Sequence, residues 1–110
     1  MKKTRLLIVV AAVCAAASAQ AADVAKGQQL AQATCADCHG KDFASPVDPS
    51  YPKLAGQYSD YLEKALRDYQ TGARKNPIMA GLAKPLSRAD IQNVAAYLGG
   101  LPGPLNNAKR

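Results

Sequence analysis

The chain has 110 residues, room for a single domain. Fourteen Lys and Arg against eight Asp and Glu give a formal net charge of +6. Lys2, Lys3 and Arg5 sit ahead of an apolar run, so half of the positive excess belongs to that leader; no basic cluster or aromatic stripe follows it, and nucleic acid has no support as a partner.

Leu6 to Ala17 is almost unbroken apolar sequence, and Ser18-Ala19-Gln20-Ala21-Ala22 supplies the small residues of a secretory cleavage site. A bilayer span needs about 20 apolar residues, and this run is shorter. The expected organisation is a signal peptide over residues 1–21, cleaved after Ala21, and one domain over 22–110 delivered to the periplasm. Cys14 is a poor lipidation site because the residue before it, Val13, is not small.

The domain that remains is short of large apolar rings, with five Tyr, one Phe and no Trp. So small a chain often needs a cross-link or a cofactor to stabilise it. Exported chains normally use disulfides. Here only Cys35 and Cys38 are left, too close in sequence to close a useful loop.

Three segments carry helical periodicity, and no segment alternates as a strand does, so the fold class is all-α. Asp23 to about Thr34 is weakly amphipathic, through Val24, Leu30 and several alanines. Ser59 to Thr71 places Leu62, Ala65, Leu66 and Tyr69 on one face, with Ser59 as the expected N-cap and Gly72 at the left-handed end. Ser87 to about Leu98 aligns Ile91, Val94, Ala95 and Leu98, opens on a capping box of Ser87 and Asp90, and stops at Gly99-Gly100. Between them lie two proline-bearing stretches, Lys41 to Gln57 and Ala73 to Leu86, both read as ordered loops. Loops of this length in a compact domain are usually functional. Both make sense if they wrap something that is not protein.

Cys35-Ala36-Asp37-Cys38-His39 is C-x-x-C-H, the attachment pattern of haem c. Two thiols one helical turn apart can add to the two vinyl groups on one porphyrin edge, and the following imidazole then projects towards iron. Three other readings compete. A thioredoxin-like dithiol wants a βαβ setting, a structural zinc site wants four ligands, and a plain disulfide leaves His39 without a role. Covalent haem would also supply the missing core. Attachment needs reduced thiols in an oxidising compartment, so dedicated haem-attachment machinery is an expected partner.

A six-coordinate iron needs a second donor. His39 is the single histidine of the chain, which rules out two histidines from one chain. Apart from Met1, Met79 is the one methionine, within Asn76-Pro77-Ile78-Met79-Ala80-Gly81. Methionine is a common gap-filler in cores. Next to a haem motif, its thioether is a recognised axial ligand that raises the reduction potential. A closed coordination sphere leaves no place for a small-molecule substrate, which argues against an enzyme.

With these residues in view, the sequence resembles the class I c-type cytochromes, and especially their small single-haem bacterial members, over residues 24–101. The likeness rests on Gly27 ahead of Cys35, on C-x-x-C-H-G at 35–40, on Tyr51-Pro52-Lys53-Leu54-Ala55-Gly56-Gln57, on Tyr69-Gln70-Thr71-Gly72-Ala73-Arg74, on Met79, and on Asp90 to Leu98. It implies three to four short helices and ordered loops wrapped around one covalent haem. It implies a crossing of first and last helices through Gly27 and Tyr97, eased by the glycine. It implies that the Pro52 carbonyl accepts the His39 imidazole N–H and that Leu54 lies on the haem face. Gln57 and Arg74 are haem-propionate partners by the same likeness, or else solvated surface side chains. Many relatives carry an aromatic four residues before the first cysteine; Ala31 stands here, which implies thinner packing at the crossing. Lys53, Lys64, Lys75 and Lys84 are candidates to ring the haem edge and steer an acidic partner. The function implied is one-electron transfer between membrane or periplasmic redox proteins. The alternatives are a cytochrome subunit bound to a dehydrogenase, and a gas-binding or peroxidatic haem protein.

Overall fold

The computed structural model describes residues 2–13 and 21–105. Cys14 and most of the expected cleavage site lie outside the described residues. No helix among the described residues is long and apolar enough to cross a membrane.

Five helices and no strand make up the described domain: α1 (Val24–Thr34), α2 (Ala36–His39), α3 (Ser59–Thr71), α4 (Pro77–Ala83) and α5 (Arg88–Gly99). The three longer ones stand where periodicity puts them. Helix α1 starts because the Asp23 carboxylate accepts the Lys26 backbone N–H at 3.1 Å. Helix α5 starts on the expected capping box, with Asp90 N–H donating to Ser87 Oγ at 3.0 Å and Ser87 N–H donating back to Asp90 Oδ2 at 2.9 Å. Helix α3 ends at Gly72, whose φ of 84° is left-handed.

Three expectations need correction. Ser59 is the first helical residue of α3, and its cap is Tyr58, which makes no side-chain capping bond. Ser59 Oγ instead packs against Gly99, where an added Cβ would lie 2.4 Å away. The second stretch read as loop contains α4. Pro77 does not break structure there but begins it, at a position whose missing N–H costs nothing, and Asn76 Oδ1 accepts from both Ile78 and Met79 N–H at 3.0 Å. The glycine crossing is present with a different partner: a Cβ on Gly27 would fall 2.0 Å from the Asn93 carbonyl oxygen, not on Tyr97.

That crossing of α1 and α5 is the backbone of the fold. Asp23 N–H donates to Asn93 Oδ1 at 2.8 Å and fixes the start of α1 on α5. Ile91, Val94, Ala95 and Leu98 are all no more than 2 % exposed. Each large aliphatic so buried stabilises by about 1.5–3 kcal/mol. Ala31 is fully buried as well, and an aromatic ring does reach this core, from a loop. Phe43 is 0 % exposed and meets Tyr97 edge-on, centroids 6.0 Å apart at 90°.

Among the described residues, half of the ten buried apolar ones are alanines. The protein core is therefore thin, and the stripe of α3 explains why. Of Leu62, Ala65, Leu66 and Tyr69, only Leu62 is buried; all four line a cavity. The apolar face of α3 points at that space.

Candidate functional site

The C-x-x-C-H segment is wound into a single helical turn continuing α1 after a break. Cys35 N–H donates to Ala31 O at 2.8 Å, and His39 N–H donates to Cys35 O at 3.1 Å. Both cysteines are unpaired, half-buried, and on the cavity wall. Burial, helped by the nearby Cys38, pushes the Cys35 thiol up to about 11.

His39 is 6 % exposed, the one buried polar residue in the described core. Its Nδ1 lies 2.8 Å from the Pro52 carbonyl oxygen. A carbonyl only accepts, so Nδ1 carries the proton of this bond, which leaves Nε2 as the nitrogen that can offer a lone pair to a metal. Tyr51 flanks the ring at 6.3 Å.

The loop that brings Pro52 here is tightly tied. Gly40, with φ 89°, turns the chain after His39. Asp42 then caps the turn, accepting from Ala44 N–H at 3.0 Å and Ser45 N–H at 2.9 Å, and Val47 N–H donates back to Cys38 O at 3.0 Å. The Phe43 carbonyl accepts from Leu54 N–H at 2.8 Å and from Ala55 N–H at 2.9 Å, just beyond Pro52.

Helix α4 presents Met79, Leu82 and Ala83 to the same cavity. It is pinned at its C-terminal end by Gln70 of α3, whose amide donates to Ala83 O and Leu86 O at 2.8 Å each. The structure thus brings Cys35, Cys38, His39 and Met79 to the wall of one space of about 1340 Å³, counted out to its open mouth. Leu54, Gln57 and Arg74 line it too. Gln57 Oε1 accepts the Tyr58 N–H at 2.9 Å. The Arg74 guanidinium donates to Tyr61 Oη at 3.2 Å and lies over the Tyr69 ring at 5.1 Å, and the Tyr61 bond holds its pKa above the usual arginine value. Of the four lysines, only Lys53 lines the cavity, and Lys64 is paired with Asp68 along α3.

Sequence reasoning missed Tyr61 and Phe43. Tyr61 neighbours the apolar stripe of α3 and was open to discovery from it; Phe43 carried no periodic signal at all.

The walls fit haem c. Two thiols, one imidazole nitrogen and one thioether are the polar or soft atoms that a covalent haem uses, and apolar side chains provide most of the remainder. Residues 24–102 match the Cytochrome c family. The chain belongs to that family.

Membership in the cytochrome c family implies covalently bound haem c with its iron. The chain is 41 % identical over 100 residues to the thiosulfate dehydrogenase electron acceptor of Stutzerimonas stutzeri, a match that covers 86 % of this chain and 46 % of that protein. It is 40 % identical over 80 residues to cytochrome c-554(548) of Halomonas halodenitrificans, covering 70 % of this chain and 94 % of the relative. Reduced recombinant cytochrome c4 from Pseudomonas stutzeri has a similar solved structure, with a TM-score of 0.68, 31 % identity, and coverage of 74 % of this chain and 51 % of that one. The chain spans about half the length of the first and last of these relatives, and nearly all of the second.

Proposed function

We propose that this cytochrome is a periplasmic one-electron carrier holding a single haem c, with Cys35 and Cys38 as thioether anchors and His39 and Met79 as axial ligands. The observation that carries the reading is the meeting of those four residues on one apolar cavity, with His39 Nδ1 already committed to Pro52. When bound, haem c supplies an iron that cycles between the ferrous and ferric states. The chain does the rest. Cys35 and Cys38 fix the porphyrin edge; the Pro52 carbonyl orients the imidazole and makes it a stronger donor. The Met79 thioether favours ferrous iron and raises the potential. The α3 stripe and Leu54 keep water from the ring. Arg74 and Gln57 line the same cavity, where the guanidinium would match the charge of the cofactor's carboxylates and the amide would donate a hydrogen bond to them. Attachment needs reduced thiols in an oxidising compartment, which fits dedicated machinery after export behind residues 1–21.

The partners are redox proteins. A relative named as the electron acceptor of thiosulfate dehydrogenase favours a dehydrogenase as the donor for this chain too, whether encountered freely or held as a partner subunit. The test is an optical spectrum of protein matured in a periplasm, with and without reductant, followed by stopped-flow mixing with a thiosulfate-oxidising dehydrogenase. Reversible one-electron cycling with haem retained through acid-acetone extraction is expected. A protein that yields its haem to extraction overturns the attachment; one that cycles but turns over a small molecule overturns the carrier role.

A further inference from the structure

Phe43 holds a conformation that its side chain should refuse. Its φ is 56°, and it is the one non-glycine residue with positive φ among the described residues. For a bulky side chain this region costs of order 1–3 kcal/mol and persists only when the surroundings enforce it. The surroundings are on both sides of the residue. The ring is 0 % exposed and edge-on to Tyr97 of α5, while the backbone N–H donates to Gly40 O at 3.0 Å. The left-handed backbone turns the Phe43 carbonyl onto Leu54 N–H and Ala55 N–H together, at 2.8 and 2.9 Å. Those two amides follow Pro52 by two and three residues, and the Pro52 carbonyl is the acceptor for His39 Nδ1.

We infer that Phe43 is a positioning residue for the proximal ligand: its buried ring locks a strained backbone whose carbonyl sets the Pro52–His39 hydrogen bond, and through it the reduction potential of the iron. The chain of contact runs from Tyr97 to the Phe43 ring, from the Phe43 carbonyl to the 54–55 backbone, and from the Pro52 carbonyl to the imidazole. A firm N–H···O=C bond gives the imidazole more anionic character, which favours ferric iron. A loosened bond therefore raises the potential. The inference rests on the reading of His39 as the axial ligand.

The test compares two substitutions that delete the same ring in the holoprotein. Phe43→Gly permits φ near 56° without strain, so the carbonyl keeps its two amides. Phe43→Ala has no ring to hold the strained backbone, so it relaxes and the carbonyl swings away. Both variants lose comparable packing. Phe43→Ala is expected to raise the potential and to speed exchange of the His39 Nδ1 proton roughly five- to tenfold, the scale of one net hydrogen bond. Phe43→Gly should remain close to wild type in both. If Phe43→Ala does not accumulate with haem, Phe43→Leu gives the same contrast, because it too lacks the ring contact yet needs the strained backbone. Equal potentials and exchange rates in wild type, Phe43→Ala or Phe43→Leu, and Phe43→Gly would overturn the inference. Equal shifts in the alanine and glycine variants would also overturn it, because the ring would then act by packing alone. A wild-type protein with no hyperfine-shifted imidazole N–H would remove the ligand reading itself, a different failure with a different signature.

Discussion

His39 Nδ1 and the Pro52 carbonyl oxygen stand 2.8 Å apart, and this contact joins the attachment motif to the loop that follows it. It fixes the tautomer of the only histidine, so the loop decides which nitrogen is available to iron. Releasing the proline restraint with Pro52→Ala costs about 0.4–1 kcal/mol through the unfolded state alone. A greater loss in thermal or denaturant unfolding, accompanied by a raised potential, is expected here because the carbonyl also loses its fixed direction. Unchanged potential would show that the contact is not tuning the iron.

The proposed attachment uses both cysteines. Cys35→Ser leaves one thioether and lowers holoprotein yield, and the double change to serine removes the covalent link. The expected readout is haem-stained gel intensity: reduced for the single variant and absent for the double. Haem staining of the double variant at wild-type strength would contradict the assignment of these thiols.

The crossing of α1 and α5 tolerates no side chain at Gly27, since an added methyl carbon meets the Asn93 carbonyl oxygen at 2.0 Å. Both atoms belong to helix backbone or its first substituent, so neither can turn aside. Gly27→Ala is expected to destabilise by about 1–3 kcal/mol, the range for overpacking. Chemical denaturation measures it. A variant as stable as wild type would mean that the helices do not approach this closely in solution.

Asp42 contributes to the acid behaviour of the loop that follows His39. Its pKa lies below the ordinary aspartate value of 3.8, held down first by the Ala44 N–H and then by Ser45. A depressed pKa means that the carboxylate stabilises the fold fully above the unfolded value and that this contribution is lost as pH falls through the folded one. The loop should therefore loosen below about pH 3.8, not above it. Asp42→Asn should flatten that part of the acid unfolding curve. A curve superimposable on wild type between pH 5 and 2, limits set roughly by the carboxylate range, would remove Asp42 from the account.

Much of this architecture is written locally in the chain. The stripe of α5, its Ser87–Asp90 box and the left-handed Gly72 are read from spacing alone, because capping and periodicity are short-range physics. Helix α4 was hidden because its proline looked like a breaker; only the Asn76 side chain bonding forward to Ile78 and Met79 makes Pro77 a starting residue. Gly27 was legible as a close approach, but its partner was not, since which turn of α5 it meets depends on the crossing. Phe43 was illegible for a stronger reason. No local rule puts a phenylalanine at φ 56°; the tertiary contact with Tyr97 overrides backbone preference there. The four donor residues were visible as residue types, while their gathering on one cavity is a property of the fold.

Met79 carries the claim that the iron site is closed and serves electron transfer. Its helix is pinned by Asn76 at one end and Gln70 at the other, so the thioether is offered to the cavity from a fixed backbone. The most direct measurement is the near-infrared spectrum of the oxidised holoprotein at neutral pH, taken together with carbon monoxide binding by the reduced form. A weak sulfur-to-iron charge-transfer band and no ready carbon monoxide binding are expected in wild type, with the band lost, the potential lowered and the iron opened in Met79→Ala. A wild-type protein that lacks the band and binds carbon monoxide readily would contradict that claim, and would make an open, gas-binding iron the better description.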